Sequence, residues 1–200
     1  MATTATPFGL KPVQLLGGTS FAGATRQYKI ANNYDTNIFN GQVVEIVADG
    51  SIELDEASGA AASQLSAAAI GVFVGCSYTS PESGQVVFSN YYPASTAADD
   101  IVAYVVDDPN TLFKAQADDT LAESARGSNI HFAAAQSGST GNTTTGNSTS
   151  ALDASEIATT NTFAFRIVDF TNDALNEAGD AYTEVIVKLN KHFYTQTTGI

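Results

Sequence analysis

The groups able to do chemistry in this chain are few: two histidines, one cysteine and three aspartate doublets. Histidine is the commonest general base because its pKa lies near neutrality. His131 and His192 each stand in strand-like sequence beside aromatic residues, in His131-Phe132 and His192-Phe193-Tyr194. That setting reads as hydrogen-bonded structure rather than as a general base. Cys76 ends the apolar run Ile70-Gly-Val-Phe-Val-Gly-Cys76. A buried thiol away from positive charge stays protonated, so Cys76 reads as a small core residue and not a nucleophile. As the sole cysteine it can form neither an intrachain disulfide nor a multi-cysteine zinc cage.

The doublets are Asp99-Asp100, Asp107-Asp108 and Asp118-Asp119. Neighbours on a strand point to opposite faces, so a doublet is not a catalytic pair by itself. The simpler reading is turn formation and solvation, with Asp107-Asp-Pro-Asn110 resembling a type I turn. The sharper reading is a weak calcium site in which the fold gathers Asp107, Asp108, Asp118 and Asp119, although no EF-hand spacing is present. No nucleophile elbow, phosphate-binding glycine loop or paired-histidine zinc motif occurs. The residues therefore predict no catalytic group and no cofactor.

The composition narrows the partners. Twenty-one acidic residues against eight basic ones give a net charge of −13. Nucleic-acid affinity comes largely from Lys and Arg neutralising phosphates. Eight scattered cations draw no basic stripe, so nucleic acid is not an expected partner. A strongly acidic surface instead keeps a protein soluble and suits a shell face turned to solvent. Met1–Thr6 has neither a basic region nor an apolar core, so it does not read as a secretory signal. No window approaches the ~18 uninterrupted apolar residues of a membrane helix. No membrane association is expected, and synthesis in a cytoplasm is.

The elements that would position any site read as strands. Short β-branched and aromatic runs alternate with Gly, Asn, Asp, Pro and Ser, the pattern of an all-β fold. Strands are expected near Arg26–Ile30, Gln42–Val47, Ser51–Leu54, Ile70–Gly75, Gln85–Tyr91, Ile101–Val106, Leu112–Ala117, Asn129–Phe132, Phe163–Phe170 and Tyr182–Asn190. A two-residue period puts Phe163, Phe165 and Ile167 on one face. The same period sets Thr183, Val185, Val187 and Leu189 against Glu184, Ile186 and Lys188. Asp49-Gly50 predicts a hairpin between Val47 and Ile52. Thr120-Leu-Ala-Glu123 predicts a capping box and about two helical turns, stopped by Gly127. Ala57–Ala69 fits either a short helix or a surface loop.

Two segments differ from the body. Residues 1–23 mix glycines and prolines with isolated large apolars, and predict an extended N-terminal arm lying on another subunit. Phe8, Leu10, Val13, Leu15 and Phe21 would carry that contact, joined by Phe193 and Tyr194 near the other end. Residues 133–162, whose middle is Gly138-Ser-Thr-Gly-Asn-Thr-Thr-Thr-Gly-Asn-Ser-Thr-Ser150, predict one long exposed Gly/Ser/Thr/Asn-rich loop. The expected architecture is thus an arm over 1–23 and a single β domain over 24–200. That domain would be a β-sandwich or β-barrel, jelly-roll-like.

Several short motifs carry a resemblance. Pro7-Phe-Gly-Leu-Lys-Pro-Val13, Gly17-Gly18, Tyr28-Lys-Ile30, Asn37-Ile-Phe-Asn-Gly-Gln-Val-Val44 and Ile70-Gly-Val-Phe-Val-Gly75 resemble small virion proteins of marine and freshwater tailed phages. Gly138–Asp153, Phe163–Phe170, Val187-Lys-Leu-Asn-Lys-His192 and Thr198-Gly-Ile200 extend the likeness along nearly the whole chain. The family is that of head decoration, cement or auxiliary capsid proteins (cyanophage and marine podovirus-like). The resemblance implies a non-enzymatic, homo-oligomeric structural protein that sits on the major capsid protein at the outer surface of the head and stabilises it. A trimer is the expected oligomer. A carbohydrate-binding or adhesive β-module, using Tyr91, Tyr92 and a calcium ion on the doublets, is the alternative. A hydrolase using the carboxylates as acid and base stands behind both. A major capsid protein would be expected to show a long helix, which the sequence lacks.

Overall fold

The two-residue alternation of the C-terminal third produces the strands that organise the structure. In the computed structural model, which describes residues 4–56, 65–171, 176–197 and 199, these strands sit inside a five-stranded antiparallel sheet. Its order is β1 (Lys11–Leu15), β10 (Thr111–Gln116), β15 (Glu184–Leu189), β14 (Phe165–Phe170), β11 (Asn129–Ile130). Val185, Val187 and Leu189 face inward with Phe165 and Ile167, while Lys188 and Arg166 face out. The second sheet has the order β2 (Arg26–Lys29), β9 (Val102–Val106), β6 (Ala69–Thr79), β4 (Val43–Ile46), β5 (Ile52–Leu54), with β7 (Val86–Ser89) hairpinned onto the far end of β6. Both sheets are open paths, so the architecture is a β-sandwich and not a closed barrel.

Two apolar clusters hold the layers. The first lies between the sheets and joins Val43, Val72 and Val106 of one to Phe113, Phe165, Ile167, Val185 and Val187 of the other. The second covers the opposite face of the six-stranded sheet. There Ile70, Phe73, Ala103 and Val105 pack against Ile30, Ile38, Tyr92 and Ile101. Burial on both faces explains why β6 reads as a continuous apolar run rather than an alternating one. A small ribbon, β3 (Ile38–Phe39) with β8 (Tyr91–Tyr92), closes the second cluster. The expected hairpin forms where predicted: β4 pairs β5, Val47 N–H donates to Ser51 O (3.0 Å), and Gly50 takes φ +82°.

Three expectations are corrected. The segment 1–23 is not a detached arm over the residues described. β1 pairs with β10, and Leu10 is wholly buried in the inter-sheet core. Leu10 N–H donates to Gly41 O (2.9 Å), and Gln116 clasps Thr4 O and Thr6 N–H. The broken apolar pattern that suggested an arm is that of an edge strand with a bulge between Pro12 and Gln14.

The segment 133–162 is not a solvated excursion either. A short ribbon, β12 (Gly141–Asn142) with β13 (Asn147–Ser148), folds it back, and Leu152 enters the core. The buried Gln136 accepts from Val43 N–H (2.8 Å) and donates to Asp55 O (2.9 Å). The polar residues that suggested solvent thus satisfy backbone groups of the sandwich.

The predicted capping box is absent. Thr120 N–H bonds Asp119 instead, and the helix is a single 3-10 turn, Glu123–Ala125. Gly127 does follow it with φ +84°. The expectation for Ala57–Ala69 falls largely on residues 57–64, outside the described residues; Ala69 itself opens β6.

Candidate functional site

Each reactive group of the sequence has a structural place. Cys76 is buried, its thiol donates to Tyr91 O (3.5 Å), and burial pushes the thiol pKa up to about 12. At neutral pH burial therefore keeps the group as the thiol rather than the thiolate. His131 is buried at the end of β11, edge-on to Phe163 with ring centroids 4.7 Å apart. Its Nδ1 meets Phe132 O (2.6 Å) and its Nε2 meets the exposed Glu156 carboxylate (3.2 Å). A histidine–carboxylate pair orients an imidazole, but catalysis also needs space for a substrate at a free nitrogen. Both nitrogens of His131 are engaged.

His192 is buried beside the C-terminal 3-10 turn Phe193–Thr195, where Nδ1 accepts from Tyr194 N–H (3.2 Å). Its Nε2 has no hydrogen-bond partner among the described residues. Burial holds the His192 pKa below the ordinary value, with Lys188 adding to the shift and the Asp107 carboxylate the main group opposing it. The unfolded chain therefore binds a proton at His192 before the folded chain does. Stability from this group is complete above about pH 6.5 and is lost as pH falls through the lowered folded value. His192→Asn keeps an acceptor near Nδ1 and removes the titration. The wild-type melting temperature is expected to fall more steeply than the variant's between pH 6.5 and 5, which thermal melts on both proteins will check.

The aspartate doublets do not converge. Asp107 accepts from Arg26 (2.9 Å) and Tyr28 (2.8 Å); Asp108 caps Asn110 N–H (2.8 Å). Asp118 holds Ala154 N–H (2.9 Å) and Asp119 holds Thr120 N–H (2.8 Å). Among the described residues no three His, Cys, Asp or Glu side chains come together to hold a metal. The four residues Asp107, Asp108, Asp118 and Asp119, the sharper reading of which is a weak calcium site, are thus not brought together among the described residues. Asp108 and Asp119 are taken by local backbone N–H groups, while Asp107 and Asp118 are held by separate, distant partners. The hydrogen bond that closes the Asp107–Asn110 turn runs from Thr111 N–H to Asp108 O (3.0 Å), one residue later than predicted.

The two tyrosines of the carbohydrate-binding alternative are both engaged within the fold. Tyr92 is buried with its hydroxyl on Tyr34 O (3.0 Å), and Tyr91 stacks on Phe39 at 5.4 Å.

The expected contact residues divide. Leu10 is core, and Phe21 and Phe193 pack against the two clusters. Phe8 lies under Lys11 Nζ at 4.3 Å, while Val13 and Leu15 are half-buried on β1. Tyr194 alone among the seven stays exposed, at 44%. Even so, its hydroxyl accepts from Arg26 Nη1 (2.9 Å) and meets Tyr28 Oη (2.8 Å), tying the C-terminal segment to β2.

The exposed apolar surface lies elsewhere. Val86 and Phe88 on β7 are 64% and 76% exposed. Cross-strand pairing sets Phe88 opposite Ser77 and Val86 opposite Thr79, and Ser77 opposite Val102 on β9. The two side chains therefore share a face with the half-buried Val102 and Tyr104. A signal was present in the sequence: Gln85–Tyr91 carries large apolars on both alternations, so a strand with only one covered face must show some of them to solvent. No helix among the described residues is long and apolar enough to cross a membrane. Compared with protein-family models, curated proteins and solved structures, the chain matches none.

Proposed function

We propose that this chain is a structural virion protein that attaches to the outer surface of an assembled capsid and reinforces it, as a decoration or cement protein. The observation that carries the reading is the exposed apolar face of the β6–β7 hairpin, with Val86 and Phe88 presented on a rigid two-sheet scaffold. Large aromatic residues left in water on an otherwise acidic surface mark a protein contact. The scaffold suits the task, since the N-terminal part of β6 is packed on both faces and β6 pairs with three neighbours. The net charge of −13 favours a position facing solvent over one facing packaged DNA. The partner is the major capsid protein. A homo-oligomer, taken as a trimer, multiplies modest contacts through avidity.

Burying a Phe and a Val side chain contributes roughly 1.5–3 kcal/mol each. Val86→Thr combined with Phe88→Ser is expected to leave the melting temperature nearly unchanged, because both residues are exposed. It is expected to cut occupancy on purified mature heads at least about tenfold. Co-sedimentation of labelled wild-type and variant chains with heads reads both numbers. Equal decoration by the variant, or no sedimentation of the wild-type chain, defeats the proposal.

A further inference from the structure

The outward face of the five-stranded sheet gathers the rare cations of an acidic chain. Of its eight Lys and Arg residues, Lys11, Lys114, Arg126, Arg166 and Lys188 lie on or over this face. Three are already neutralised or occupied. Lys114 pairs with Glu184, Arg126 is held by Glu123 and Asp169, and Lys11 sits over the Phe8 ring. Arg166 and Lys188 are not. They stand directly opposite each other on β14 and β15, and among the described residues neither makes an ion pair. Arg166 Nε donates to Asn129 Oδ1 (3.1 Å) and Lys188 Nζ donates to Leu189 O (3.3 Å). Like charges directly opposite on a sheet are destabilising. Desolvation, with Arg166 adding to it, holds the Lys188 pKa below its ordinary value; Asp108 opposes the shift weakly. Both cations line one open cleft of about 640 Å³, whose wall also includes the exposed Leu16 and the half-buried Val168.

We propose that this cleft binds an extended acidic segment of a partner polypeptide, with carboxylates on Arg166 and Lys188 and an aliphatic side chain against Leu16 and Val168. Three features select that occupant. The guanidinium of Arg166 uses Nε for Asn129, and its two Nη groups form the planar fork that matches a carboxylate. The volume is on the order of twenty waters at ~30 Å³ each, far more than one inorganic ion requires. The apolar wall gives a peptide side chain a place that a phosphate or sulfate lacks. A long polyanion, by contrast, would meet the repulsion of the whole −13 surface, whereas a short segment responds to charges within the ~8 Å screening length. The inference is independent of what the β6–β7 hairpin attaches to, and its test uses the isolated chain.

The probe is a fluorescein-labelled six-residue peptide of alternating glutamate and leucine, followed by anisotropy at low salt. Binding is expected, weakening several-fold on raising salt to about 0.15 M. Arg166→Gln with Lys188→Gln is expected to lose about tenfold or more in affinity, and Lys188→Gln alone a smaller factor. Lys29→Gln, on the other sheet, is expected to match wild type, and the glutamine–leucine peptide is expected not to bind. Thermal melts are expected to place both cleft variants at or above the wild-type melting temperature, since the like-charge opposition is gone. Unchanged peptide affinity in the double variant overturns the proposal. So does a silent peptide, including the case in which pyrophosphate or a heparin hexasaccharide binds instead.

Discussion

Gly71→Ala is expected to lower the melting temperature by about 10 °C. Gly71 lies in β6 with φ +153°, a region L side chains rarely adopt. A Cβ built there would stand 2.2 Å from Val106 O and 3.0 Å from the Asp107 Cα. Neither neighbour is a flexible side chain that could swing away; both are backbone of β9 and the turn that follows it. Relief would require separating β6 from β9 beside Val72 and Val106, which bridge the two sheets in the main core. Strain at such a position costs of order 1–3 kcal/mol before the steric overlap is counted. With the overlap, a total of about 3 kcal/mol or more converts to roughly 6–12 °C in a domain this size. Gly50→Ala is the control. Gly50 also has positive φ, +82°, but an added Cβ meets nothing within 4 Å. Its loss is expected to be about 1 kcal/mol. Melts of the two variants beside wild type separate close approach from conformation alone. Equal effects would mean that the sheet yields at Gly71 without cost.

The contrast between those two glycines also shows what a sequence can convey. Asp49-Gly50 is legible because a tight turn has a local chemical signature, and the hairpin forms there. Gly71 sits in an apolar run and looks like any weak point in a strand. Its requirement comes from Val106, 35 positions away. The same division holds elsewhere. The alternation of Phe165, Ile167, Val185 and Val187 fixes which side of the sheet is core, because period and burial are coupled residue by residue. Gln136 gives no such warning: only the fold brings the Val43 and Asp55 backbone to its amide.

Among the candidate functional groups, the burial of Cys76 was legible from its apolar neighbours. The pairing of Arg166 with Lys188 was not, because cross-strand register decides it. For Phe88 the sequence shows that one of the two apolar alternations of its strand must face solvent, but not which one. Which alternation is covered depends on whether another layer lies above β7, and one strand's residues do not contain that information.

Removing the N-terminal segment is expected to damage the fold itself rather than release a separate docking arm. Leu10 has no exposed surface and joins Val43, Phe113 and Val187 in the inter-sheet cluster. Truncating a fully buried Leu to Ala costs about 2–5 kcal/mol through lost transfer energy and the cavity left behind. The backbone around it is equally committed. Gly9 N–H donates to Ser150 O (3.2 Å), Leu10 N–H to Gly41 O (2.9 Å), and β1 covers the outer edge of β10. Gly9 and Gly41 meet so closely that a Cβ on Gly9 would stand 2.6 Å from Gly41 O. This crossing pins the segment to the β3–β4 turn. Leu10→Ala is therefore expected to lower the melting temperature by roughly 5–15 °C. A chain lacking residues 1–16 is expected to lose its cooperative transition, because β10 would then present an unpaired edge and the core would lose Leu10. Phe8→Ala, which removes a half-buried ring beneath Lys11, is expected to cost far less. Circular dichroism melts of the three proteins decide the matter. A truncated chain that melts like wild type would restore the segment to the status of a detachable arm. If the truncated chain no longer folds, a failure of it to decorate heads would report lost structure, so the proposed attachment is tested with point variants at Val86 and Phe88.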